Sequence, residues 1–440
     1  MTQSPVTLIV GAGLTGLAAA LTLARRGKPS LLVERESFIG GMARSLTLDG
    51  VTFDMGPHVA FTDDTPAGLL IAEALRTVET VSRPFAFSVH AEGRHWKFPN
   101  HFEVIKYPWK YKKDLLATFI AGEKSPGITA EDELRSKTGP LLYALLFQNT
   151  LRKKAGCNPD RIHRHWLMRP DRTARNELEP PPPLNRFGVV GRALKRLRRQ
   201  YVYPTRGFGV LAEQLHALYA QAGGRTLPRC GPITFSTHND AIHTATINGE
   251  TVPVDAVIWT PPPHMLGVAL GLDLPRRDFA DILLVFLTYS QETQAARPFV
   301  YSYHPDERLV FNRIYYPASL TPAATPTREG LCLEITLDRN RSEADIAALL
   351  KQGINDVERL NLHPANRLRA SHSVRLHDAL PVYGLEYEKR MAEAFAPFRA
   401  VTNLRTVGRQ GGWFFCMSPE AVSQGIKAAN SILEDMEDKG

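Results

Sequence analysis

The spacing of apolar positions changes several times along the chain. Residues 6–10 form a short continuous apolar run that stops at Gly11, an alanine- and leucine-rich stretch follows, and residues 30–33 form a second run. Strand, glycine turn, helix and strand in that order predict a βαβ unit within roughly the first 60 residues. From 62 to 200 the patterns are longer and helical, with an aromatic and basic segment at 107–113 and a proline run at 180–183 that reads as a rigid loop. A helix over 210–222 and short strands ending at 256–259, stopped by Pro261, Pro262 and Pro263, read as the first domain resuming. A second excursion over 265–375 holds β-rich runs at 282–289 and 331–337, and a helix opened by Ser342 with Asp345 three residues on as its capping partner. A strand-turn-helix ending follows from Val401, where Ser418 reads as the N-cap and Pro419 as the first helical residue.

The fold class this predicts is α/β: a Rossmann-type dinucleotide domain in three pieces (1–61, 201–264 and 376–440) with an interleaved α+β substrate domain. The interleaved parts are a helical insertion over 62–200 and a β-rich substrate domain over 265–375. No internal repeat or low-complexity tract interrupts this order.

Composition narrows the class. Hydrophobic residues make up 43% and charged residues 22% of the 440, close to the globular average, which excludes disorder and fibrous repeats. No apolar stretch approaches the ~18 residues that cross a bilayer, and no basic leader precedes the first strand, so a cytoplasmic protein without an integral membrane segment is expected. Cys157, Cys230, Cys332 and Cys416 are widely spaced, so free thiols and no metal are expected. The net charge of +8 is concentrated partly in Arg192, Lys195, Arg196, Arg198 and Arg199, a surface that attracts anions; without an aromatic recognition module, nucleic acid is not an expected partner.

The chemistry begins at Gly11-Ala12-Gly13-Leu14-Thr15-Gly16. Gly11 permits a tight turn, Gly13 lets a pyrophosphate approach the backbone, Gly16 lets helix pack on strand, and the helix start offers unpaired N–H groups to the anion. Glu34, at the end of the next strand, is placed to accept hydrogen bonds from a ribose. The unit alone suits NAD and FAD equally. The following Phe38-Ile39-Gly40-Gly41-Met42-Ala43-Arg44 and Asp54-Met55-Gly56-Pro57-His58, with the late segment 407–413 and Met417-Ser418-Pro419-Glu420-Ala421-Val422, resemble the FAD-binding parts of a flavoprotein superfamily. Its members include amine oxidases, protoporphyrinogen oxidases, carotenoid desaturases and UDP-galactopyranose mutases.

That resemblance implies FAD as cofactor, held by Gly11, Gly13, Leu14, Thr15, Gly16, Glu34, Arg35, Gly41, Met42, Arg44, Gly56, Pro57, His58, Gly408, Arg409, Met417, Ala421 and Val422. The late helix would set its positive end toward reduced, anionic flavin. Gly56 to Thr62 is similar to the mutase histidine loop, which marks His58 as the candidate catalytic residue, tuning the flavin or exchanging a proton near neutral pH. The 97–99 and 381–383 segments with Tyr387 are similar to the same branch. Where mutases carry a second histidine this chain has Phe61, and where they supply tyrosines it has Trp413, Phe414 and Phe415. Arg169 and Arg313, as bidentate forks for an anionic small-molecule substrate, and Tyr383 and Trp413 complete the expected substrate contacts. Two chemistries follow from the resemblance: hydride transfer from a biosynthetic intermediate to flavin N5, or non-redox isomerisation of a nucleotide sugar.

Overall fold

The structure, a computed structural model, describes residues 4–98, 106–121, 127–168, 200–274, 278–290, 297–321, 327–337 and 340–438. Arg169, the proline run at 180–183 and the basic cluster at 192–199 lie outside the described residues.

Two seven-stranded sheets carry the fold. In the first, Val6–Val10 is flanked in parallel by Ser30–Val33 and by the end of Glu250–Trp259; Arg225–Leu227 extends one side in parallel, and Leu404–Thr406 pairs in parallel with 257–259. Strands buried on both faces read as continuous apolar runs, which is why Val6–Val10 and Ser30–Val33 lack alternation. An antiparallel meander, Ile233–His238 and Ala241–Ile247, completes that sheet. The helix Leu14–Arg25 fills the centre: nine of its twelve residues are buried, beneath Ser418–Glu437 and Gly209–Gln221.

The second sheet runs Leu368–Pro381, Phe279–Ser290, Arg328–Leu337, Arg313–Tyr315, Tyr301–Tyr303, Phe87–Ala91, Arg94–Phe98. Its last hairpin comes from the stretch that reads as helical. The region 62–200 thus contributes strands to the β-rich layer between its first helix, Pro66–Ala74, and its later ones, because Ser88 and Val89 pair in parallel with Ser302 and Tyr303. Its helical part is broken: Gly139 adopts φ +78° before Pro140, a π-helical turn follows over Tyr143–Gln148, and Asn149–Ala155 ends at left-handed Gly156.

Among the capped helices, Glu343–Arg359 starts as expected, with Ser342 and Asp345 exchanging hydrogen bonds. The last helix starts differently. It spans Ser418–Glu437 with Met417 as N-cap, and the Glu420 carboxylate accepts the Met417 N–H at 2.7 Å. Ser418 is therefore the first helical residue rather than the cap; Glu420 closes the turn in its place. All four cysteines are free thiols.

Candidate functional site

A glycine cradle sits at the carboxyl end of the central strand. Gly11, at φ +97°, turns the chain with its N–H on Val33 O, and a Cβ there would stand 2.2 Å from Thr260 Oγ1. At Gly16 a Cβ would meet Gly11 O at 1.9 Å, so helix and strand touch only because Gly16 lacks a side chain. Gly13 differs, with open space where a Cβ would stand. It bridges to Gly40, and a Cβ on Gly41 would come 3.5 Å from Gly13 Cα. The helix that begins at Leu14, with Thr15 in its first turn, has neither a side-chain cap nor an acidic residue there. An open, glycine-lined space facing an uncapped helix start fits a pyrophosphate.

Around it, Glu34 accepts Ala12 N–H at 2.8 Å and Glu36 N–H at 2.9 Å, which fixes the carboxylate at the strand end. Arg44 stacks over the Phe38 ring at 4.2 Å, and burial lowers its pKa from the usual arginine value. Arg35 pairs with Glu36 at the surface. Met42 is half-buried in the short turn Gly41–Ala43. The late segment reaches the same place: Gly408, at φ +88°, brings its backbone so close that a Cβ would stand 3.1 Å from Thr15 Oγ1. At Gly425 a Cβ would meet Thr15 O at 2.1 Å, so the last helix crosses the first at van der Waals contact between backbones. Val422 is fully buried and Ala421 is half-buried in that helix.

The loop after the cradle is fixed by a buried carboxylate, Asp54, to which the sequence alone assigns no role. Asp54 accepts Ser45 Oγ–H at 2.6 Å, Phe208 N–H at 2.9 Å and Tyr203 O–H at 2.8 Å, with Tyr315 O–H at 3.5 Å. It thus ties the first domain piece, the resumed segment and the second sheet to one point. Burial pushes its pKa up to about 6, against the pull of these donors.

Gly56, at φ +95°, then turns the chain to Pro57 and His58. His58 Nδ1 lies 3.0 Å from Gly56 O, which requires the Nδ1–H tautomer and leaves Nε2 as an acceptor. The ring stacks on Phe208 at 5.4 Å. Burial, then the charge of Arg409, push its pKa down to about 3, with the Gly56 hydrogen bond opposing and Arg313 adding to the effect. A low-dielectric setting beside two cations thus disfavours the charged imidazole.

The second sheet supplies the facing wall, and its register builds it. Arg313 is opposite Tyr303 on one side and Glu334 on the other, so the three side chains share a face. Arg313 forms an ion pair with Glu334 and stands over the Tyr301 ring at 4.9 Å. Burial opposes its charge, but Glu334, Tyr303 and Tyr301 outweigh that and raise its pKa further. A Cβ on Gly56 would lie 3.8 Å from Glu334 Oε2, so this pair adjoins the His58 loop.

Lys154, which sequence reading does not single out, sits in the last turn of Asn149–Ala155 and donates to Tyr303 Oη at 3.2 Å. Its ammonium lies 5.4–5.6 Å from the Phe415, Tyr303 and Trp166 rings. Burial raises the Tyr303 pKa, but Lys154 and Arg313 overcome it, and the net direction is down. No local pattern marks Lys154, because Tyr303 is 149 residues away.

Tyr383 and Trp413, expected against substrate, are placed otherwise. Both are almost completely buried; Tyr383 Oη donates to Trp413 O at 3.2 Å and accepts Phe415 N–H at 2.9 Å, while Trp413 Nε1 donates to Asp278 O. Through these bonds they hold the closing loop in place. Phe415, stacked on Trp166 at 5.5 Å, is the aromatic ring beside Lys154. Arg409 donates to Cys416 O at 2.6 Å and braces the same loop.

The NAD(P)-binding Rossmann-like domain family matches residues 9–74. The 4,4'-diapophytoene desaturase (4,4'-diaponeurosporene-forming) of Staphylococcus aureus strain Newman is 43% identical over 56 residues, which cover 13% of this chain and 11% of that protein. The fold is similar over nearly the whole chain to solved structures. Reduced UDP-galactopyranose mutase matches with a TM-score of 0.79 at 19% identity, covering 98% of this chain and 94% of that one. A protein assigned as a protoporphyrinogen oxidase from Exiguobacterium sp. 255-15 matches with 0.73 at 17%, covering 98% and 99%. Fold and cradle together define a protein with a Rossmann-type dinucleotide-binding domain. Over nearly its whole length the chain thus shares the fold of the UDP-galactopyranose mutase and protoporphyrinogen oxidase structures.

Proposed function

We propose that the protein is an oxidoreductase acting on an anionic, partly apolar biosynthetic intermediate, with the His58 loop and the Tyr303–Arg313–Lys154 wall around the reacting part of the substrate. Bound FAD would supply a two-electron acceptor for hydride. The residues that would hold it are Gly11, Gly13, Leu14, Thr15, Gly16, Glu34, Arg35, Gly41, Met42, Arg44, Gly56, Pro57, Gly408, Arg409, Met417, Ala421 and Val422.

The observation that carries this reading is the convergence of the Lys154 ammonium and the Arg313 guanidinium on the Tyr303 hydroxyl, at 3.2 and 3.5 Å, inside an aromatic surround. A desolvated pair of cations favours a carboxylate or phosphate and disfavours the cation of an amine. Glu334 neutralises only one of the two charges. Phe415, Trp166 and Tyr301 would exclude water and pack the apolar part of the substrate. His58 would accept a hydrogen bond at Nε2 and orient, rather than carry, a proton.

The mutase reading draws on the same cations, which would suit the phosphates of a nucleotide sugar. Against it stands the closing loop, where Trp413, Phe414 and Phe415 present carbon rather than phenolic hydroxyls. Anaerobic mixing of the holoenzyme with nucleotide sugars, apolar carboxylic acids, amines and porphyrinogens separates the readings. Bleaching of the flavin by an anionic compound, with Lys154→Met raising the concentration needed by about tenfold or more, supports the proposal. Bleaching by amines alone overturns it, as does isomerisation of a nucleotide sugar without net flavin reduction.

A further inference from the structure

The helix Trp109–Ala121 reverses the usual burial of an amphipathic helix. Its inward face is largely polar or aromatic-polar: Tyr111 is buried with its hydroxyl on Glu92, Asp114 accepts Leu141 N–H at 2.9 Å, and Thr118 donates to Asp114 O. Leu115 is the apolar residue that packs inward. Its outward face is apolar. Trp109 is 73% exposed, Leu116 53%, Phe119 84% and Ile120 74%. At about 100° per residue, Trp109, Leu116 and Ile120 fall within about 40° of one another, with Phe119 at their edge. Leu141, beside Asp114 on the next helix, adds a further half-exposed apolar side chain.

Cations surround this stripe. Lys106, Lys110 and Lys113 are exposed and Lys112 is half-buried; Lys110 also pairs with Glu92 at 3.3 Å. Asp114, the acidic residue of the helix, points inward to Leu141.

An aromatic and aliphatic stripe edged by lysines is the composition that lies in a membrane interface, its rings among the acyl boundary and its ammonium groups at the headgroups. Symmetric pairing with a second copy would bring lysine against lysine on a chain that already carries +8. Among the described residues no helix is long and apolar enough to cross a membrane, so the contact would be a surface one.

We infer that this helix docks the protein onto an anionic bilayer surface, with Trp109, Leu116, Phe119 and Ile120 inserted and the flanking lysines on lipid phosphates.

The test is flotation of the full-length protein with vesicles of phosphatidylcholine alone or mixed with phosphatidylglycerol, and with acyl chains brominated in a parallel set. Trp96, Trp166, Trp259 and Trp413 are buried, so Trp109 is the tryptophan open to quenching by brominated lipid. The expected result is flotation with the anionic vesicles, weakened by salt, and quenched fluorescence that Trp109→Phe removes while flotation persists. Phe119→Glu with Ile120→Glu abolishes flotation, and Lys113→Glu weakens it about fivefold or more, with circular dichroism melts unchanged because all three side chains are exposed. Absence of flotation with either vesicle overturns the inference. So does flotation that survives the Phe119→Glu, Ile120→Glu change, or an oligomer of the parent that this change converts to monomer, which would assign the face to a second copy.

Discussion

His58 is held neutral by its surroundings, and this sets what a variant should do. With a pKa pushed down to about 3, the imidazole does not titrate between pH 5 and 8 in the folded protein. His58→Asn should slow flavin reduction by substrate, on the order of tenfold or more if a hydrogen bond made in the transition state is lost. The pH dependence between 5 and 8 should keep its shape. Stopped-flow reduction across that range checks both, and an inflection near 6.5 that vanishes in the variant would show a protonated, acid–base histidine instead. Asp54 has the opposite linkage. Its pKa rises from the usual carboxyl value to about 6 on folding, so the folded state holds this proton more tightly than the unfolded chain. The stability it confers is fully present below about pH 4 and is lost as pH rises through 6, amounting to about 3 kcal/mol at most. Asp54→Asn should flatten the fall in unfolding free energy between pH 4 and 7; denaturant titrations of variant and parent that run parallel over that window would place the carboxyl's titration elsewhere.

Backbone contact between the first and last helices is the feature on which the dinucleotide site depends. A Cβ at Gly425 meets Thr15 O at 2.1 Å, so Gly425→Val must push Ser418–Glu437 off the helix that carries the cradle. We expect a loss of about 2–3 kcal/mol of stability together with weakened FAD binding, measured by melting and by cofactor titration. A fully stable, FAD-saturated variant would show that the two helices can part at no cost. Gly13→Val should differ in kind: its side chain would project into open space, so folding should persist while FAD binding is lost. Elements such as the glycine turn and the Ser342–Asp345 cap were legible because their signals are local, within three to five residues. The last helix starts one residue before the expected position, since only the folded backbone shows that Glu420 takes the Met417 N–H. The hairpin Phe87–Ala91 with Arg94–Phe98 lay hidden in a stretch read as helical, since its partner strand begins more than two hundred residues later.

At the scale of the whole molecule the two sheets do different work: one presents a cradle, the other a cationic and aromatic wall. The cradle could be read from sequence because Gly11, Gly13 and Gly16 fall within six residues between a strand and a helix. The wall could not, because Tyr303, Arg313, Glu334 and Lys154 meet only through strand register and a helix terminus. Arg313, expected from its guanidinium fork, stands on the wall, whereas Tyr383 and Trp413 are buried among their own hydrogen bonds. The central claim is that the cradle holds FAD. Its most direct measurement is the visible spectrum of the purified protein, followed by chromatography of the cofactor released on heating. A yellow protein that releases FAD, in a ratio near one per chain and absent from Gly13→Val, is the predicted result. A colourless protein that takes up no added FAD, or one that releases only FMN or NAD, would contradict it.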